Sequence, residues 1–414
     1  MPVRLRLGCA VAAFIAGFGG SSSPAEEPCK NHYILRPQCA PEELALRWEI
    51  LPDPPVPALF GHSATLLEDG RVLVVGGART TYDPETRANR PSFAGAHLFD
   101  PSTGTWETTG PMNADRAHHG AVRLLDGRVL VIGGDGYSGL DGLRGSAELF
   151  DPATSTWSEA ANHAVPRAGF TATLLDDGRV LIAGGVDHYD ATLGSTELYD
   201  PAADRWRFAG ELREPRLVHA ATKLADGRVL VVGGMTDDFF MYSTGSAEAF
   251  DPATESWSRV GSVAPRWLHS LTRGESGEVV VAGGYTDHPP AGGRGYYSAE
   301  DVATTSIFDP GTDTWRSAGS LALKRFRHLA LPLRGRGVLL VGGLRSAAPI
   351  PAYRAEAVER FELLSLADER WRVSSEANGL PVSTGSFGSA TELLDGSVLF
   401  LGDLPGAQAV RLRY

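Results

Sequence analysis

The 414-residue chain has only three cysteines, Cys9, Cys29 and Cys39. That scarcity excludes a disulfide-dense scaffold and a cysteine-rich zinc site. Cations are in deficit: 38 Lys and Arg against 50 Asp and Glu leave a net charge of -12. An acidic surface repels a phosphate backbone, so nucleic acid is not an expected partner. The apolar run from Leu7 to Gly20 is too short to cross a bilayer, and no later segment is long and apolar enough, so no membrane span is expected. Gly-x-Ser-x-Gly, a phosphate loop and His-Glu-x-x-His are all missing. Turn-forming residues are plentiful instead. The 49 Gly and 27 Pro argue for many turns and against long helices, while 43% hydrophobic residues supply a sizeable core.

Residues 1–25 have the form of a signal peptide. Arg4 and Arg6 make a positive start, the run Leu7–Gly20 follows, and Ser23-Pro24-Ala25 offers small residues for cleavage. Export to the periplasm or the medium is expected. Cys9 leaves with the leader, and Cys29 and Cys39 remain within an N-terminal segment, 26–44. An even pair in an exported chain argues for one disulfide, worth ~2–3 kcal/mol in the loop-entropy description; two buried thiols are the alternative.

A period of about fifty residues organises everything after residue 45. A Gly-Gly doublet closes an apolar strand at Gly76, Gly133, Gly184, Gly233, Gly283 and Gly342, with intervals of 57, 51, 49, 50 and 59 residues. A seventh unit ends at Leu401-Gly402 with the second glycine lost. A hairpin turn precedes most doublets, as Asp-Gly at residues 69, 126, 177, 226 and 395; both central positions of such a turn tolerate positive φ. After the doublet comes an aromatic residue, Asp-Pro and a tryptophan. Phe99, Phe150, Tyr199, Phe250 and Phe308 lead to Trp106, Trp157, Trp206, Trp257 and Trp315, each Trp six residues beyond its Asp. The sixth unit has Phe361 and Trp371 with no Asp-Pro between them.

Each unit therefore makes four short strands. The seventh lacks its Trp strand, and Leu46-Arg47-Trp48-Glu49-Ile50 supplies one from the other end of the chain. Doublet glycines, a following Tyr or Phe and a spaced Trp resemble kelch repeats. That resemblance implies an all-β, seven-bladed kelch-type β-propeller over 45–414, closed by an N-terminal strand that completes the last blade and leaves no open edge.

Two registers stand out as candidates for chemistry. His62, His119, His219, His269 and His328 stand 14 residues before their doublets, with Phe170 in the third unit. Symmetry sets neighbours a blade apart, too far to share one ion at ~2 Å bonds, so packing rather than metal binding is expected. Three residues earlier come Arg116, Arg167, Arg216, Arg266 and Arg325, where the chain enters the innermost strand. A ring of guanidinium forks at the channel mouth would bind carboxylates, sulfates or phosphates, and its replacement would leave stability nearly unchanged. In the metazoan kelch adaptors that the chain resembles, arginines near this entrance read acidic peptides. The alternative is that each Arg ties down a loop.

The connections after the doublets are long and share a face with the blade-to-blade entrances. Tyr137, Tyr189, Tyr242 and Tyr285 lie in them and would suit a carbohydrate or a peptide. Asp135, Asp187 and Asp190 also lie there without the contiguous loop of an EF-hand, so no metal or other cofactor is expected. The repeat wording is also similar to propellers of radical copper oxidases. Their Cys–Tyr crosslink has no sulfur to use here, because no Cys follows Cys39. The expected function is an exported interaction module whose long-looped face binds a protein or polysaccharide. The alternative is an epimerase-like periplasmic enzyme acting on an anionic sugar at the mouth.

Overall fold

In the computed structural model, the described residues are 46–55, 60–78, 92–136, 142–236, 242–288, 298–346, 355–358, 360–373, 387–402 and 409–414. They contain no α-helix and seven four-stranded antiparallel sheets. The second blade is representative: Gly120–Arg123, Val129–Ile132, Ala147–Asp151 and Thr156–Ala160 pair in chain order. The innermost strands touch their neighbours all the way round, Phe387–Glu392 meeting Ser63–Leu66 to close the ring. Closure is as expected. Arg47–Ile50 pairs with the last strand, Ala409–Arg413, with Trp48 opposite Leu412 and packed 5.6 Å from Phe400.

The second strand of each blade is apolar throughout because both its faces are covered. Val129, Leu130, Val131 and Ile132 are all 0% exposed. The apolar core is accordingly divided into seven clusters, each shared by two neighbouring blades. Every blade interface is thus a hydrophobic seam, and stability is distributed round the ring.

Local chemistry explains the punctuation. At Asp69-Gly70 only the glycine is left-handed (φ 89°), and Gly70 N donates to Leu67 O while Leu67 N donates to Arg71 O. The turn is therefore a type I turn with a glycine bulge, rather than one with both central residues at positive φ. Asp69 Oδ1 accepts from Arg71 N at 3.0 Å, which is why aspartate recurs there. The first doublet glycine has a different cause. A Cβ on Gly76 would lie 2.5 Å from Arg116 O and 2.7 Å from the His119 ring of the next blade.

The repeating tryptophans stack on the aromatic across the outer hairpin, as in Phe150–Trp157 at 5.1 Å and Tyr199–Trp206 at 5.0 Å. Their indole N–H groups donate to the preceding blade, Trp157 to Gly110 O and Trp206 to Ala161 O. In the sixth blade the residue facing Trp371 is Leu364, not Phe361. Phe361 is buried just before that strand, in the seam with the seventh blade.

Candidate functional site

The residue after each register position, which is Leu59 in the first unit and arginine in the next five, bridges to the residue after the doublet: Phe60 to Ala78, Ala117 to Asp135, Ala168 to Val186, Leu217 to Met235, Trp267 to Tyr285 and Phe326 to Leu344. These bridges put blade entrances and long loops on one face, as expected. The next residue turns left-handed in every case, at Gly61, His118, Gly169, Val218, Leu268 and Arg327. A β-branched residue at φ 51°, as in Val218, is strained, and the surrounding hydrogen bonds hold it there. Val218 N donates to Gly169 O, and Arg327 N to Leu268 O, from blade to blade.

The large side chains in this double register gather on one side of the channel mouth. Tyr285 packs between Trp267 and Phe326, with ring centroids at 5.7 and 5.3 Å. Beside Phe326, the Arg327 guanidinium carbon lies 4.2 Å from the centre of the Phe60 ring, and Phe60 meets the His118 ring edge-on at 4.8 Å. His118 Nδ1 is 2.8 Å from Asp135 Oδ1, and Trp267 Nε1 donates to Asp287 Oδ2 at 2.9 Å. All six members of this arc are half-buried. On the third blade the same positions are Ala168 and Gly169.

Extra hairpins stand beside the arc on three successive blades. They are Met235–Thr236 with Tyr242–Ser243, Tyr285–His288 with Ser298–Asp301, and Leu344–Ser346 with Ala355–Ala357. Hydrogen bonds lace them together. Ser243 Oγ lies 3.0 Å from Thr286 Oγ1 and accepts from Asp287 N, while Ser346 N and Oγ both donate to Asp301 at 2.7 Å.

The expected arginine ring is not at this mouth. Arg116, Arg167, Arg216, Arg266 and Arg325 are 0% exposed and lie inside their blades. Arg216 is typical. Nη1 donates to Gly233 O and Ser246 O, and Nη2 to Ser246 Oγ and to Glu248 Oε1 at 2.7 Å. Glu248 also accepts from the backbone N–H of Arg213 and Glu214. The guanidinium thus ties the doublet, the third strand and the blade entrance together and has no face to offer a ligand. The tie is what the sequence alternative described; the anion site is not what the geometry supports.

Of the tyrosines, Tyr285 is in the arc, and Tyr242 is half-buried in the fourth-blade hairpin that laces to it. Tyr189 is 78% exposed on the third blade and stacks on His188 at 3.7 Å, with no described contact to the arc. Tyr137, Cys29 and Cys39 lie outside the described residues. Sequence reasoning missed Phe60, His118, Trp267, Phe326 and Arg327. The signal was adjacent to the one it used: the two residues after the register position change from blade to blade, while the position itself is arginine in five units.

The histidine register packs as expected. His119, His219 and His328 bond Ser63, Thr171 and Ser270 of the preceding blade at 2.8 to 2.9 Å. Burial, with the nearby arginine adding repulsion, holds the His119 ring neutral down to about pH 3 and pushes His219 and His328 well below the usual imidazole range. Among the described residues no group of three His, Cys, Asp or Glu is placed to hold a metal, and no helix is long and apolar enough to cross a membrane.

Comparison with known proteins agrees with this architecture. A family model, the KLHDC2/KLHL20/DRC7 Kelch-repeats domain, matches residues 8–234 and 61–284. The kelch repeat-containing protein kel-10 of Caenorhabditis elegans is 30% identical over 128 residues, 30% of this chain and 20% of that protein. The F-box/kelch-repeat protein At1g67480 of Arabidopsis thaliana is 28% identical over 153 residues, 34% of this chain and 38% of that protein. The aligned segments thus span well under half of these relatives. Among solved structures, YjhT superposes with TM-score 0.57 at 16% identity, over 78% of this chain and 99% of that one. A fungal alcohol oxidase in complex with copper gives 0.65 at 17% identity, over 88% and 76%. At such identities these two show the fold alone.

Proposed function

Because the chain belongs to the kelch-repeat family, we propose that it is a protein-binding module, exported from the cell, that receives its partner on the long-looped face. One observation carries the reading. The arc Trp267–Tyr285–Phe326–Arg327–Phe60–His118 sets amphipathic aromatics and a cation on a strained but rigid ring, beside hairpins that brace one another. Half-buried aromatics with Arg, pre-positioned by a scaffold, are the residues that dominate protein interfaces, and they bind at little ordering cost. The same rings would stack on sugars, which keeps a polysaccharide as the other ligand class.

Capture of partners from envelope extract, run beside a glycan array, tests this. Trp267→Ala with Phe60→Ala should lower capture by about tenfold or more, the loss typical of central aromatic anchors, in a variant that circular dichroism shows to be folded. Undiminished capture by a folded double variant would remove the arc from the interface.

The enzymatic reading draws on one pair, His118 held by Asp135 in the arc, where a carboxylate orients an imidazole for proton transfer. It predicts that His118→Gln abolishes turnover of an anionic sugar while leaving its binding intact.

A further inference from the structure

Four of the five register arginines face a carboxylate, and the fifth faces none among the described residues. Arg116, Arg167, Arg216 and Arg325 each place Nη2 2.7 to 2.9 Å from Oε1 of Glu148, Glu197, Glu248 and Glu362. Each glutamate also accepts two consecutive backbone N–H groups from the segment leading into its arginine, such as Ala164 and Val165 at Glu197. In the fifth blade Ser306 pairs with Val281 as Glu248 pairs with Val231, so a hydroxymethyl group stands at the glutamate position. The lead-in segment is shorter too. The backbone bond that anchors it falls four residues before the arginine at His163 and Leu212, but three before it at Val263. One of the carboxylate's donors has thus gone with the carboxylate.

Arg266 nevertheless stays fully buried. Its hydrogen bonds all go to neutral oxygens: Ala264 O, Gly283 O, Thr304 O and Thr304 Oγ1. Burial lowers its pKa to about 10 with nothing opposing the shift, whereas a glutamate opposes it at Arg167, Arg216 and Arg325. Access differs as well. Ala264 and Thr304 are exposed and Ser306 is half-buried, while the glutamates of the other blades are at most 2% exposed. A buried cation therefore lies beneath a polar niche open to solvent, an arrangement stabilised by a counter-anion.

We propose that this niche binds a small carboxylate, held by Arg266 Nη2 and the hydroxyls of Thr304 and Ser306 in the place that the glutamate side chain occupies in the other blades. The gap is the difference between Glu and Ser, which suits formate or acetate and is too small for a phosphate ester. A free carboxylate ion and the acidic side chain of a docked protein present the same chemistry.

The full chain is unfolded thermally in increasing sodium formate, with ionic strength held constant by isethionate, a bulkier anion. The wild type should show a saturable rise in melting temperature. Ser306→Glu should melt higher without formate and show no rise with it. A flat wild-type curve, or a Ser306→Glu variant that responds as the wild type does, would overturn the proposal. If that variant does not fold, broadening of the 13C-formate resonance by the wild type decides: it should be present, and lost in Arg266→Met. Its absence in the wild type, or persistence in Arg266→Met, overturns the site. Repeating the melts with N-acetyl-aspartate amide separates the sources. A response to formate alone identifies the free ion, and a response to both admits a partner's side chain.

Discussion

His119 of the second blade hydrogen-bonds Ser63 of the first, Nε2 to Oγ at 2.8 Å, and so ties two inner strands together beneath the channel mouth. His62 with Ser389, His219 with Thr171 and His328 with Ser270 repeat the link. Two positions depart from it. Phe170, which needs no partner, faces Gly120, where a Cβ would come within 3.1 Å of the phenyl ring. At His269 the equivalent of Ser63 is Ala220, and neither ring nitrogen makes a well-formed hydrogen bond to a described residue, although the Val232 carbonyl is near enough to favour protonation slightly.

Ala220→Ser should therefore stabilise the protein by about 0.5–1.5 kcal/mol, the net worth of a buried hydrogen bond. Urea midpoints at constant slope measure it. Ser63→Ala should cost about 1–3 kcal/mol, because it leaves a buried imidazole nitrogen unsatisfied. A serine at 220 that destabilises would show that the pairing rule does not extend to the fifth blade.

Replacing Arg216 should be severe. The variant Arg216→Met leaves Glu248 buried without its cation, at a cost of about 3–5 kcal/mol, the reverse of what an exposed anion site predicts. Changing the pair together, Arg216→Met with Glu248→Leu, should recover most of that loss. Denaturation of the three proteins closes the cycle. A near-neutral single variant would contradict the tie.

Stability should fall as acid is added, beginning near neutrality. The His119 and His269 rings are held down to about 3 and His163 to about 4, all chiefly by burial. Lowered folded-state values mean that the unfolded chain takes up these protons first, so stability is full above about pH 6.5 and is lost progressively below it. Each ring contributes a slope of up to about 1.4 kcal/mol per pH unit. Urea titrations between pH 7 and pH 4.5 should show it. The pair His269→Phe with Ala220→Gly, which copies Phe170 over Gly120, should flatten the slope by one proton. An unchanged slope would mean that His269 is not protonated on unfolding in this range.

Trp206→Ala should destabilise by about 3–5 kcal/mol, through the cavity against Tyr199 and the lost bond to Ala161 O. Trp206→Phe, keeping the ring contact but not the N–H, should lose much less. Thermal unfolding distinguishes them, and equal losses would place the contribution in the hydrogen bond alone.

Much of the fold was legible because its signals are local. A glycine under the next blade's histidine, an aspartate accepting from its own turn and a tryptophan facing an aromatic each constrain only a few neighbours, so spacing reveals them. Leu364 opposite Trp371 shows the limit, since the ladder needs bulk there and not an aromatic ring. The arginines were misplaced for a related reason. Their glutamates lie 32, 30, 32 and 37 residues further on, and the intervening loops vary, so no fixed spacing announces the pair. Once the guanidinium is known to turn inward, the variable residues just after it become the mouth.

Arg47 stands opposite Arg413 in the ladder that completes the seventh sheet, so one sheet is assembled from strands on either side of the whole repeat array. A pairing of such extreme sequence separation is correspondingly slow to form. Without Ala409–Arg413, which lies between Arg47–Ile50 and Val398–Gly402, the sheet would keep a raw β edge and the circle would stay unclosed. That one ladder is the clasp of the circle, and opening it exposes backbone donors and acceptors able to pair with another chain.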